Sequence, residues 1–118
     1  MANFAALINA GYNAVKAVNS NIKVIVHLSN GYDSSLYSWM FSGLKSNGAK
    51  WDVIGMSLYP TTANWQTEDT QCAANISTLI STYNTPVMIC EVGMENDQPD
   101  ITKSFLTCLL YTSPSPRD

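Results

Sequence analysis

Positive charge is scarce in this chain: six Lys and Arg stand singly among 118 residues, against nine Asp and Glu, for a net charge of −3. Without a basic stripe, neither nucleic acid nor an anionic membrane is an expected partner. Long apolar runs are missing as well. None approaches the roughly 20 residues that span a bilayer, and Met1-Ala-Asn-Phe4 lacks the charged start of a secretion signal. The three cysteines, Cys72, Cys90 and Cys108, are an odd number with no C-x-x-C pair, which suggests neither zinc ligation nor a full disulfide framework. Cys72 and Cys90 read as core packing. What is present is 46% hydrophobic and 13% charged, a globular composition that can bury a core.

Phe4, Leu7, Ile8, Gly11, Tyr12, Ala14, Val15 and Val18 recur at helical spacing, predicting an opening amphipathic helix of about four turns. Ile22–Leu28 is a β-branched run, broken by Asn30-Gly31, and Leu36, Trp39, Met40, Phe41 and Leu44 mark a second helix ending at Asn47-Gly48. Trp51–Tyr59 predicts a second strand and 60–65 a loop. Cys72, Ala73, Ile76, Leu79, Ile80 and Tyr83 form the buried stripe of a third helix, Pro86–Val92 a third strand, and Ile101 opens another helix. Strands alternating with helices imply βαβ crossovers and a parallel α/β sheet, either doubly wound or a (β/α)8 barrel. Nearly continuous apolar strands are expected where helices cover both sheet faces. Residues 108–118, with Pro114 and Pro116 and no apolar stripe, read as a non-native tail on a unit of residues 1–107.

Each strand is apolar and then polar at its exit. The most informative residue is Glu91, an acid ending the run Pro86–Val92 with no opposite charge beside it in sequence. Period-two alternation puts Ile25, His27 and Ser29 on one face, likewise Gly55, Ser57 and Tyr59, and likewise Val87, Ile89 and Glu91. The polar members all fall at carboxyl ends, where parallel α/β folds place active sites. Asn75-Ile-Ser77 fits the N-glycosylation pattern, which often arises by chance.

Three strings carry a family resemblance: Val24-Ile-Val-His-Leu-Ser-Asn-Gly31, Trp51-Asp-Val-Ile-Gly-Met-Ser-Leu-Tyr-Pro60 and Val87-Met-Ile-Cys-Glu-Val-Gly93. In that order and spacing, residues 2 to 106 resemble glycoside hydrolase family 53, the arabinogalactan endo-β-1,4-galactanases, and more closely its bacterial members. The resemblance implies an internal fragment of a (β/α)8 barrel, a fold of roughly 250 residues, running from helix 4 through strand 7 and the start of the next helix. It also implies a retaining glycosidase with two carboxylates about 5 Å apart. Glu91 matches the nucleophile. No position matches the acid/base; Glu68 and Glu95 fall in a helix start and a loop, where solvation explains them.

By the same resemblance, Tyr59 matches a tyrosine that hydrogen-bonds the nucleophile, and His27 matches a histidine lining the sugar cleft, with Ser29 where the family often has Asp. Leu58 replaces a frequent Tyr, its parity pointing it at the helices. His27, Asn30, Ser57 and Trp65 are the candidate substrate-binding residues. Trp65 offers an aromatic face for a galactose ring, or folds back onto its own helix; Trp39 and Trp51 read as packing. The acidic loop of Glu95, Asn96, Asp97 and Asp100 offers oxygen ligands of the kind calcium takes, but the sequence supports no metal or other cofactor. The implied partner is β-1,4-galactan and the implied location secreted, periplasmic or cell-surface. Two alternatives stay open: a barrel glycosidase for mannan or glucan, and a small non-catalytic α/β binding module.

Overall fold

The helical and period-two stretches fold as α1 (Ala2–Val18), β1 (Ile25–Leu28), α2 (Ser34–Ser46), β2 (Val53–Leu58), α3 (Trp65–Tyr83), β3 (Val87–Val92) and α4 (Pro99–Thr112). The computed structural model describes residues 1–95 and 97–112. The strands form one parallel sheet in the order β1-β2-β3, the α/β alternation that the sequence pattern leads one to expect. Local chemistry sets the ends. Asn30 takes a left-handed backbone (φ 54°) in the turn after β1, the Asp33 carboxylate caps α2 by accepting the Leu36 amide at 3.0 Å, and left-handed Asn84 closes α3.

Val26, Ile54, Met56 and Leu58 point to one side of the sheet. There they join Tyr37, Phe41 and Leu44 of α2, Cys72, Ile76 and Leu79 of α3, and Phe105 and Leu109 of α4 in a single core. Leu58 thus faces the helices, as its parity implies. Phe41 meets Trp51 edge-on at 5.3 Å, and Tyr83 closes on both rings at about 6 Å, so Trp51 packs at the foot of β2. The fully buried Tyr37 donates its hydroxyl to the Leu28 carbonyl at 2.8 Å.

Several expectations change. The opposite sheet face is open, with Ile25, Met88 and Tyr59 among the exposed large side chains, because the helices that build the core all lie on the other side. Trp39 points away from that core and is 61% exposed. Helix α4 continues to Thr112 and buries Phe105 and Leu109; residues 113–118, with both tail prolines, lie outside the described residues. Asn75 of the glycosylation pattern is 2% exposed and donates its amide to the Gly31 carbonyl at 2.8 Å, an arrangement with no room for a glycan in the folded chain.

Helix α1 is the largest departure. Its apolar stripe buries only Ala5 fully, while Phe4, Leu7 and Val18 remain exposed. Polar contacts hold it instead. Asp52, just before β2, accepts the Val24 amide at 2.8 Å and the Tyr12 hydroxyl at 3.3 Å, and pairs with the Lys16 ammonium at 2.7 Å. Lys16 also donates to the Ile22 carbonyl at 2.6 Å, and Asn9 bonds both the Gly48 carbonyl and the Lys50 amide at 2.9 Å.

The Lys16 hydrogen bond, then the Val24 amide, hold the Asp52 carboxyl below its ordinary value of 3.8. A depressed carboxyl stabilises the fold above the unfolded-state value and ceases to do so as pH falls through the folded-state value. Asp52→Asn should therefore flatten the acid side of the stability profile, leaving the slope that Asp33 contributes, since Ser35 and Leu36 hold its carboxyl low as well. Thermal melts of both proteins from about pH 6 to 2 measure this; superimposable acid limbs would mean that the clasp does not form.

Candidate active site

The site begins with a break in alternation. Val87 and Ile89 pair with Ile54 and Met56 and pack toward the helices, so they do not share a face with Glu91 as strict alternation would have it. A β-bulge between Met56 and Ser57 inserts Cys90 without a partner, and the next pair is Ser57 with Glu91. One extra residue re-aims everything after it. Glu91 arrives on the open face with His27 and Ser57, and Cys90 is exposed there too rather than packed in the core.

Three strands then supply one polar cluster. The His27 Nε2 and the Ser57 hydroxyl are 2.7 Å apart. The His27 Nδ1 lies 3.9 Å from one Glu91 carboxylate oxygen, and the Tyr59 hydroxyl donates to the other at 3.1 Å. Ser57, 7% exposed, is the buried floor, while the Glu91 side chain is 53% exposed. Gly93 leaves room for the Tyr59 ring, since a Cβ there would sit 2.9 Å from its Cε1. Glu91 therefore has a donor on one oxygen, an imidazole near the other and an open approach, as a nucleophile or general base requires.

Four of the six candidate residues, Glu91, Tyr59, His27 and Ser57, come together. Asn30 forms the turn beyond β1, its carbonyl accepting the Asp33 amide at 2.8 Å. Trp65 is the first residue of α3 rather than a loop residue, half-buried against the core. A depression of about 240 Å³ opens beside the cluster, lined by Tyr59, Pro60, Thr61, Gly93, Met94 and Glu95. A larger one of about 500 Å³ lies between α2 and α3, lined by Tyr32, Asp33, Gln71 and Asn75 among others, and none of the candidates lines it.

Sequence reasoning missed a buried acidic pair. Glu68 is 9% and Asp69 1% exposed, so Glu68 is not a solvated helix start. Asn64 donates to one Glu68 oxygen at 2.8 Å. Among the described residues, no hydrogen bond of the protein's N and O groups reaches Glu68 Oε2 or Asp69 Oδ1. Burial raises the Glu68 carboxyl, and burial first, then the charges of Asp69 and Glu68, push the Cys72 thiol up to about 12, which leaves it inert. A hydrogen bond to Asp69 raises the Cys108 thiol as well. A polar residue at a helix start carries no mark of whether another helix will meet it, as Cys108 of α4 meets Asp69 here. Among the described residues no three His, Cys, Asp or Glu side chains gather as a cation site, and Asn96 of the acidic loop lies outside them.

The model of glycosyl hydrolase family 53 matches residues 1–108. A protein of Niallia circulans, described only as an uncharacterized protein in the bgaB 5′ region, is 30% identical over 99 residues, 82% of this chain and 26% of that protein. The endo-beta-1,4-galactanase of Bacillus subtilis is 32% identical over 87 residues, 74% of this chain and 20% of that enzyme. The chain thus spans a fifth to about a quarter of the length of these curated relatives.

The hydrogen bond to Glu91 raises the Tyr59 phenol above its ordinary value of 10.0. In Glu91→Gln the accepting charge is gone, so the Tyr59 midpoint should drop back toward that value. Carbon-13 NMR of labelled tyrosine follows it directly, and an unmoved midpoint would show that Tyr59 does not bond Glu91.

Proposed function

The chain belongs to glycosyl hydrolase family 53, and from that premise we propose that it is part of a retaining endo-β-1,4-galactanase in which Glu91 is the nucleophile. The observation that carries this reading is the convergence of Tyr59 and His27 on the two oxygens of a carboxylate on an open sheet face. Glu91 attacks the anomeric carbon of a β-galactosyl unit as the glycosidic C–O bond breaks, giving a covalent glycosyl-enzyme that water later hydrolyses. Tyr59 orients the carboxylate for that attack. Ser57 fixes the imidazole of His27, which lines the sugar site.

The leaving oxygen needs a proton from a second carboxylate about 5 to 5.5 Å from the first. Glu68 is buried against Asn64, and Glu95 sits in an exposed loop beyond β3. On this reading the acid/base belongs to other strands of a (β/α)8 barrel, of which β1 to β3 and their helices are one arc. That arc matches the short share of the relatives' length that the chain covers. Galactan side chains of pectin are polymers too large to cross a membrane, so the enzyme acts outside the cytoplasm.

The 118-residue chain alone should release no reducing sugar from galactan; measurable release would mean that it holds a complete acid/base pair. A chimera tests the rest: residues 1–108 replace the matching stretch of the Bacillus subtilis galactanase. A folded chimera should hydrolyse galactan in preference to mannan, and Glu91→Gln in it should lower kcat on the order of a thousandfold or more, as loss of a nucleophile does. Full activity in that variant would remove Glu91 from the chemistry, and preference for mannan would reassign the substrate.

A further inference from the structure

The bulge that turns Glu91 onto the open face must put the side chain of Cys90 somewhere, because consecutive residues at a bulge crowd one side of the strand. The space it uses lies over Gly55. A Cβ added at Gly55 would lie 2.8 Å from the Cys90 sulfur, 2.7 Å from the Ile25 Cγ2 and 3.1 Å from the His27 Cβ. Gly55 is the partner of His27 in the β1–β2 ladder and of Met88 in the β2–β3 ladder. It therefore sits directly between the two strands that carry His27 and Glu91. Its backbone φ is not in the left-handed region, so conformational freedom is no reason for glycine here. Space is the reason.

We propose that Gly55 is the positioning residue of this site: the missing side chain is the slot into which β1 and the Cys90 bulge close, and that closure brings His27 and Tyr59 within reach of Glu91. Any side chain at 55 pushes outward on the two atoms under 3 Å and on the β-carbon of the imidazole itself. The bulge has the least to hold it, since Cys90 has no ladder partner. Displacing Cys90 rotates the next residue, Glu91, away from the Tyr59 hydroxyl. The role given to Glu91 rests on the glycosidase reading, whereas the geometry and its test do not.

The experiment is substrate-free carbon-13 NMR of tyrosine-labelled 118-residue protein. Tyr59 titrates above its ordinary value because of the bond to Glu91, so its midpoint reports that bond. Gly55→Ala should lose the upward displacement to the same extent as Glu91→Gln, while the methyl signals of buried Ile54 and Leu79 persist. The triple variant Ile25→Ala, Gly55→Ala, Cys90→Ala removes both atoms that the new Cβ meets below 3 Å, and it should restore the displacement. A merely structural role would not be rescued in this way, because the triple variant buries less apolar surface than Gly55→Ala. Retention of the raised midpoint in Gly55→Ala overturns the proposal. Failure of the folded triple variant to restore it does so too, and that variant alone decides the matter if Gly55→Ala does not fold. Inactivity of the folded chimera on galactan, with these NMR results intact, would instead remove the galactanase reading and leave the positioning role standing.

Discussion

β2 is the strand bonded on both sides, and its register with its two neighbours is the constraint from which the site follows. Pairing His27 with Gly55, and Ser57 with Glu91, sets three side chains from three strands on one face. A slip of one residue at either ladder would send its partner's side chains to the opposite face. The core supports this register from below: Ile54, Met56 and Leu58 are fully buried on the helix side, and moving any of them to the open face would cost about 1.5 to 3 kcal/mol in lost burial. The hydrophobic layer and the polar cluster are thus two faces of the same pairing.

The contacts above that layer are weaker than their distances suggest. Glu91 and Tyr59 are more than half exposed, so water competes for each hydrogen bond and screens the imidazole from the carboxylate. A cover over this face would exclude water and strengthen both. The open face is a prepared surface whose electrostatics depend on what lies across from it.

Alternation made β1 and β2 readable, because His27, Ser57 and Tyr59 follow an unbroken period of two from buried neighbours. It failed at β3 by one residue. Cys90 is small and apolar, in keeping with the run around it, and a bulge leaves no compositional trace there. Glu91 stands out in the sequence as a strand-end acid whichever face it takes, and the inserted residue rather than parity puts it on the face of His27 and Ser57. For α1 the stripe of Phe4, Leu7 and Val18 tells which side would be buried but not whether a partner is present to bury it. Trp39 misled for the same reason. The burial of Asp69 was invisible because Cys108 of α4, which meets it, lies 39 residues further along the sequence.

The polar clasp at Asp52 has a consequence for how the molecule comes apart. A helix held by a handful of water-accessible bonds, with little apolar surface to expose, opens at lower free energy than helices locked into a shared core. Amides of α1 should thus exchange with solvent through a sub-global opening that leaves the sheet, and the arrangement of His27, Ser57, Tyr59 and Glu91, assembled. On this account the fold comes apart in two tiers, and the polar cluster sits on the more stable one.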